Sequence, residues 1–170
     1  GLELGETGER LREEVERVAV QASLTLLTAA RAQACLETAG VISLALKGLA
    51  FQAPDPAHLV PRHFADVDLL VRAAALPAAG AALRGAGFTA DALLPDYGGA
   101  ALDGGAVSPA LHRTANFQGP ARTLLELHTT LPTCQGPDAT FEALVSRSVL
   151  VEHPDGRLRL PCREDALGML

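Results

Sequence analysis

The segment Asp66-Val67-Asp68-Leu69-Leu70-Val71 constrains the fold more than any other stretch of the chain. Its aliphatic and β-branched residues favour an extended strand, in which alternate side chains point to opposite faces. Asp66 and Asp68 therefore project from one face, and Val67 points the other way, towards a core. Two carboxylates side by side repel each other, and a fold tolerates this most readily when a cation lies between them. Hard divalent ions such as Mg²⁺ or Mn²⁺ prefer oxygen ligands of this kind and keep room for water and substrate phosphates. Removing one charge, as in Asp68→Asn, is on this reading expected to relieve repulsion.

Other segments supply the core behind such a strand. Leu11, Val15, Val18, Ala22 and Leu26 recur at spacings of three and four, so residues 9–39 read as helix, with a break expected near Ser23–Thr25. Gly40 stands where a helix C-terminal cap belongs. The apolar run 41–46 reads as a buried strand leading into Lys47-Gly48. Three prolines, Pro54, Pro56 and Pro61, make 53–63 a loop. Pro77 suits the first turn of a helix ending near Gly87, with Leu76, Ala79 and Leu83 on one face. Residues 95–120 are rich in Gly and Pro, with Asp103-Gly104 suited to a hairpin turn. Residues 123–129 read as a strand and 138–148 as a helix, and Asp155-Gly156 turns a second hairpin between VLVEH and RLRL.

The order of elements predicts an α/β (α+β) domain, a small mixed sheet packed on helices with a long N-terminal helical segment. The expected organisation is a helical segment at 1–40, a core at 41–135, and a C-terminal helix and hairpin at 136–170. The end of the chain, REDALGML, begins a helix without a stop signal. This predicts a fragment of a longer protein, with a homodimer or aggregation through the uncovered end.

A net charge of −6 argues against general nucleic-acid binding, which depends on neutralising many phosphates with Lys and Arg. It leaves one local phosphate site open. Cys35, Cys134 and Cys162 form no CxxC pair and are odd in number, so three reduced, mostly buried thiols in a cytoplasmic protein are expected. The sequence contains no run of apolar residues long enough to span a membrane.

Glu126 lies in the apolar strand LLELH, with Leu125 and Leu127 on the opposite face and His128 on its own. If that strand neighbours DVDLLV, Glu126 completes a cluster of three carboxylates. Lys47-Gly48 follows a buried strand and precedes a short helical run. The glycine permits close approach of a phosphate, a helix start favours an anion, and Lys47 adds a charge. Each motif alone has a plain structural reading: a solvated strand end, a turn, a satisfied strand histidine. Their order along the chain is what gives them weight.

That order, LALKGLA, then RHFADVDLLV, then a helix closing on GAGF, then LLELHTTLP, resembles a bacterial family of uncharacterised nucleotidyltransferases. The family belongs to the DNA polymerase beta-like nucleotidyltransferase superfamily, and the resemblance spans about residues 42–131. It implies that Asp66 and Asp68 are metal ligands and that Glu126 is the third carboxylate, supporting one metal ion and helping to activate the attacking hydroxyl. It implies nucleotide binding by Lys47, Gly48 and Arg62, the arginine either binding phosphate or orienting Asp66. His128 becomes a partner that orients a carboxylate. Two departures stand out. Lys47-Gly48 replaces the superfamily's Gly-Ser turn, and Thr129 replaces the aromatic that often follows the family's His.

The activity implied is Mg²⁺- or Mn²⁺-dependent transfer of a nucleoside monophosphate from an NTP to an unknown acceptor, a small molecule, peptide or protein. The alternative is a non-catalytic nucleotide-binding or protein-interaction module that retains the fold, favoured by the missing Gly-Ser turn.

Overall fold

The computed structural model describes residues 5–50, 66–90, 114–119, 122–131 and 140–168. Arg62, His112, Cys134, the loop at 53–63 and the Asp103-Gly104 turn lie outside these residues.

Helix α1 (Gly5–Thr38) runs for 34 residues without interruption, about 50 Å at the α-helical rise. The expected break at Ser23–Thr25 is absent. Ser23 and Thr25 each donate from the hydroxyl to the carbonyl four residues back, Ala19 and Gln21, at 2.9 Å, and Thr28 does the same to Leu24 at 2.7 Å. Hydroxyls satisfied this way sit inside a helix instead of ending it. The apolar stripe divides along its length. Leu11 and Val15 are exposed, and burial begins at Ala22. Ala29, Ala30, Ala32 and Leu36 are fully buried, their short side chains bringing the helix close to what it covers.

Gly40 ends α1 as expected, at φ 73°. Val41 N–H donates to Leu36 carbonyl at 2.8 Å and Gly40 N–H to Glu37 carbonyl at 2.9 Å. Buried Leu36 and Val41 accompany this pair of bonds, which satisfies carbonyls left open at a helix end. Strand β1 (Ser43–Ala45) and the single turn α2 (Lys47–Ala50) follow. Strand β2 (Asp66–Val71) comes next, then a 3-10 turn at Ala73–Ala75 and helix α3 (Leu76–Gly85). Gly87, at φ 88°, closes α3 with the same pattern, Phe88 N–H donating to Leu83 carbonyl at 3.0 Å.

Strands β3 (Thr89–Ala90), β4 (Thr114–Gln118) and β5 (Leu124–His128) complete a five-stranded mixed sheet in the order β1-β2-β5-β4-β3. Among the described strands only β2 and β5 run parallel. Strand β4 lies in the Gly/Pro-rich stretch 95–120, where the sequence suggested only a hairpin turn at Asp103-Gly104. Val67, Leu69, Val71, Leu125, Leu127, Ala115 and Phe117 face one way, into a core with α1 and with Leu76, Ala79, Leu83 and Phe88. The other face carries Leu44, Leu46 and Leu70 at one end, covered by Leu144, the buried residue of helix α4 (Phe141–Arg147).

Strands β6 (Val149–His153) and β7 (Gly156–Leu160) form the second hairpin expected at Asp155-Gly156. It docks on α1. Gln33 accepts from Arg159 N–H at 2.6 Å and donates to Arg159 carbonyl at 3.2 Å, pairing with the backbone of β7 as a neighbouring strand would. Gly156, at φ 144°, lies so close that an added Cβ would stand 3.1 Å from Ala30 carbonyl oxygen. Helix α5 (Arg163–Gly168) is tied to α4 by a bidentate pair from Arg147 to Asp165 at 3.0 and 2.9 Å. Cys35 and Cys162 are free thiols of intermediate burial.

Candidate functional site

The polar half of the second sheet face is built by strand register. Parallel pairing sets Asp68 beside Glu126 and Asp66 beside Leu124, and antiparallel pairing sets Asn116 beside Glu126 on the other side. The condition on which the carboxylate cluster depended, that LLELH neighbours DVDLLV, is met. Leu69, Leu125 and Leu127 are fully buried behind it and anchor both strands in the core.

Asp68 is the centre of the site and is 2 % exposed. Its Oδ1 accepts from Lys47 Nζ at 2.7 Å and lies 2.6 Å from His128 Nε2. His128 Nε2 also stands 3.3 Å from Glu126 Oε2. Burial pushes the Asp68 carboxyl up, but hydrogen bonds from His128 and Lys47 outweigh it, and the net displacement is downward. Asp68 is thus held ionised. Glu126 moves the opposite way: burial and the neighbouring Asp68 charge raise it, against the opposing pull of His128 and Lys47. For Lys47, burial favours the neutral amine, yet Asp68, Glu126 and Asp66 together raise its pKa and keep it charged.

Lys47 reaches Asp68 from an unusual backbone. Its φ is 47°, the left-handed region that side-chain-bearing residues enter at a cost. Gly48, expected to be the conformationally permissive member of the pair, is not among the positive-φ residues. The strain sits on the residue whose ammonium is aimed at the carboxylates.

One ligand atom from each of Asp68, Glu126 and His128 lies within 4.8 Å of the others, close enough to hold one metal ion. Two carboxylate oxygens suit Mg²⁺ or Mn²⁺, and an imidazole nitrogen is compatible with the latter. The donor set fits a divalent cation. It differs from the trio expected from sequence in one member. Asp66 shares the face and acts electrostatically on Glu126 and Lys47, but it lies one strand repeat from Asp68, and His128 takes its place in the close cluster. Lys47, expected at a triphosphate, is paired with Asp68.

Sequence reasoning missed Asn116. Its alternation with buried Ala115 and Phe117 was the available signal, a period of two hidden in a Gly/Pro-rich stretch. A cavity of about 130 Å³, lined by Gln33, Glu37, Ser43, Leu150, Arg157 and Arg159 among others, shares no residue with the cluster. Its cations are already engaged, Arg157 with Glu37 at 3.0 Å and Arg159 with Ser148 at 3.0 Å. The chemistry lies on the open sheet face and not in that cavity.

A small mixed sheet, backed by a long helix and bearing a buried carboxylate-histidine cluster on its central parallel pair, defines a nucleotidyltransferase-like domain. The chain belongs to the uncharacterised nucleotidyltransferase family, whose model matches residues 4–170. No curated protein and no solved structure matches it. Among the described residues no helix is long and apolar enough to cross a membrane.

Proposed function

We propose that this domain transfers a nucleoside monophosphate from an NTP to an acceptor hydroxyl or similar nucleophile, releasing pyrophosphate. The observation that carries this reading is the convergence of Asp68, Glu126 and His128 within 4.8 Å on the pair of central strands. Together with the resemblance of its motifs, this supports a place in the DNA polymerase beta-like superfamily. A divalent cation, Mg²⁺ or Mn²⁺, would be held by Asp68 and Glu126 with Asp66 alongside, and would supply charge neutralisation for the triphosphate.

The chain's own groups have separate tasks. His128 orients Asp68, fixing one carboxylate oxygen by hydrogen bond. Glu126, raised by burial and by Asp68, is the better proton acceptor of the pair and faces the attacking hydroxyl. Lys47 neutralises Asp68 in the free protein and transfers its ammonium to the triphosphate when nucleotide binds, with Gly48 beside it. Arg62, four residues before Asp66, adds a further phosphate contact.

A second reading has an observation of its own. Lys47 already pairs with Asp68, on the oxygen that a catalytic ion would use. Incubation with Mn²⁺ and radiolabelled NTPs separates the two: pyrophosphate release abolished by Asp68→Asn supports the transferase, and Mn²⁺-dependent nucleotide binding with no turnover supports the binding module.

A further inference from the structure

We propose that Asn116 is a neutral member of the cation site, its Oδ1 accepting a hydrogen bond from a water in the coordination shell of the ion held at Asp68 and Glu126. This rests on the metal reading given above and adds a residue to it. Asn116 Oδ1 is buried and has no hydrogen-bond partner among the described residues. Buried carbonyl oxygens are nearly always paired, and one left open at a polar site calls for an occupant. Thr123 Oγ1 shares that condition, but Thr123 precedes β5 and stands outside the row of site residues.

Register gives Asn116 its place. Asp68, Glu126 and Asn116 lie side by side on three adjacent strands, with Glu126 in the middle. Adjacent strands are roughly 4.8 Å apart, so Asn116 is about 10 Å from Asp68 across the sheet. That is too far for both side chains to ligate one ion directly, and a suitable reach for a water bound to it. An ion-bound water is a strong donor needing an acceptor without positive charge. Glu126 is already engaged by His128 on its Asp68 side, and Asn116 stands on its other side. Hard cations accept amide oxygen and keep part of their water shell, so the chemistry is matched.

The test is Mn²⁺ alone, titrated into the full chain with free ion read by electron paramagnetic resonance, for wild type, Asn116→Ala and Asn116→Asp. Each protein is also melted in EDTA. Residues that hold a metal's ligands or waters in place contribute about tenfold or more to affinity, so Asn116→Ala should bind Mn²⁺ about tenfold more weakly. Asn116→Asp, with an added charge on the same flank, should bind it more tightly. In EDTA the alanine variant should melt at or above the wild-type temperature, since no partner loses a bond. Equal Mn²⁺ affinity in wild type and Asn116→Ala overturns the inference and leaves the metal reading standing, and a lower melting temperature for Asn116→Ala in EDTA overturns it in favour of a structural role. A wild type that takes up no Mn²⁺ overturns the metal reading and this inference with it.

Discussion

Lys47 donates to Asp68 Oδ1 at 2.7 Å from a backbone held at φ 47°. The conformation and the contact belong together, because the left-handed turn after β1 brings the lysine side chain over the carboxylates. Replacing Lys47 by Gly or by Ala removes the same ammonium, but only Ala keeps the strain. The Gly variant should therefore be the more stable by about 1 kcal/mol. Denaturant melts in EDTA check this, and equal stabilities would show that the backbone stores no strain.

The same pair sets a competition. The Lys47 ammonium stands on an oxygen that a divalent ion would use, so Lys47→Met should tighten binding of Mn²⁺ alone. If the lysine moves to the triphosphate, the same change should weaken Mn²⁺-NTP binding by about 1–3 kcal/mol, the range for a charged hydrogen bond. Calorimetric titrations with and without a non-hydrolysable NTP measure both effects. Parallel changes in the two affinities would exclude the exchange of partners.

Asp68→Asn tests how far the acids are isolated. Three crowded carboxylates alone would be relieved by losing a charge, the expectation from sequence. The structure reverses the sign. Asp68 is buried and held by Lys47 and His128, so its neutral replacement leaves two donors poorly matched and should destabilise the metal-free protein by about 1–3 kcal/mol. A denaturant melt in EDTA showing a gain in stability would return the site to the picture of simple repulsion.

Falling and rising pH act on the two carboxylates in opposite directions. Asp68 is displaced downward, so its contribution is present above its unfolded-state pKa and is lost as pH falls through the lower folded value. Glu126 is displaced upward, so its contribution is present at low pH and is lost as pH rises through the folded value. In EDTA, Asp68→Asn should flatten the acid side of the stability profile, and Glu126→Gln should remove the loss on the side above the ordinary carboxylate range. Profiles of both variants that parallel the wild type would contradict the assigned shifts.

Gly156 supplies a control away from the chemistry. A methyl group there meets Ala30 carbonyl oxygen at 3.1 Å and Ala34 Cβ at 3.2 Å, at a φ of 144° that L-residues rarely adopt. Gly156→Ala should cost about 1 kcal/mol or more by lifting the hairpin from α1, with Mn²⁺ affinity unchanged. Unchanged stability in a chemical melt would mean that the turn moves freely on the helix.

Much of this arrangement was legible in the residues. Alternation placed Asp66 and Asp68 on one face of β2 and Glu126 with His128 on one face of β5, and Gly40, Pro77, Gly87 and Gly156 marked element boundaries by their backbone demands. What alternation cannot convey is which strands are neighbours, and it is the parallel register of Asp68 with Glu126 that brings His128 into the cluster and leaves Asp66 outside it. The Lys47–Asp68 pair depends on a φ that lysine does not advertise. Strand β4 escaped because Ala115 and Phe117 stand among glycines and prolines, where a short period of two is easily lost. The unbroken α1 depends on hydroxyl-to-carbonyl bonds at Ser23 and Thr25, which the residue types allow but do not require.

On the proposed function, Asp68 and Glu126 hold a divalent ion through which the domain binds an NTP. The most direct measurement is calorimetric titration of a non-hydrolysable NTP into wild type and Asp68→Asn, each in Mn²⁺ and in EDTA. The wild type should bind in Mn²⁺ only, and the variant in neither condition. Equal binding in Mn²⁺ and EDTA, or by wild type and variant in Mn²⁺, would contradict it.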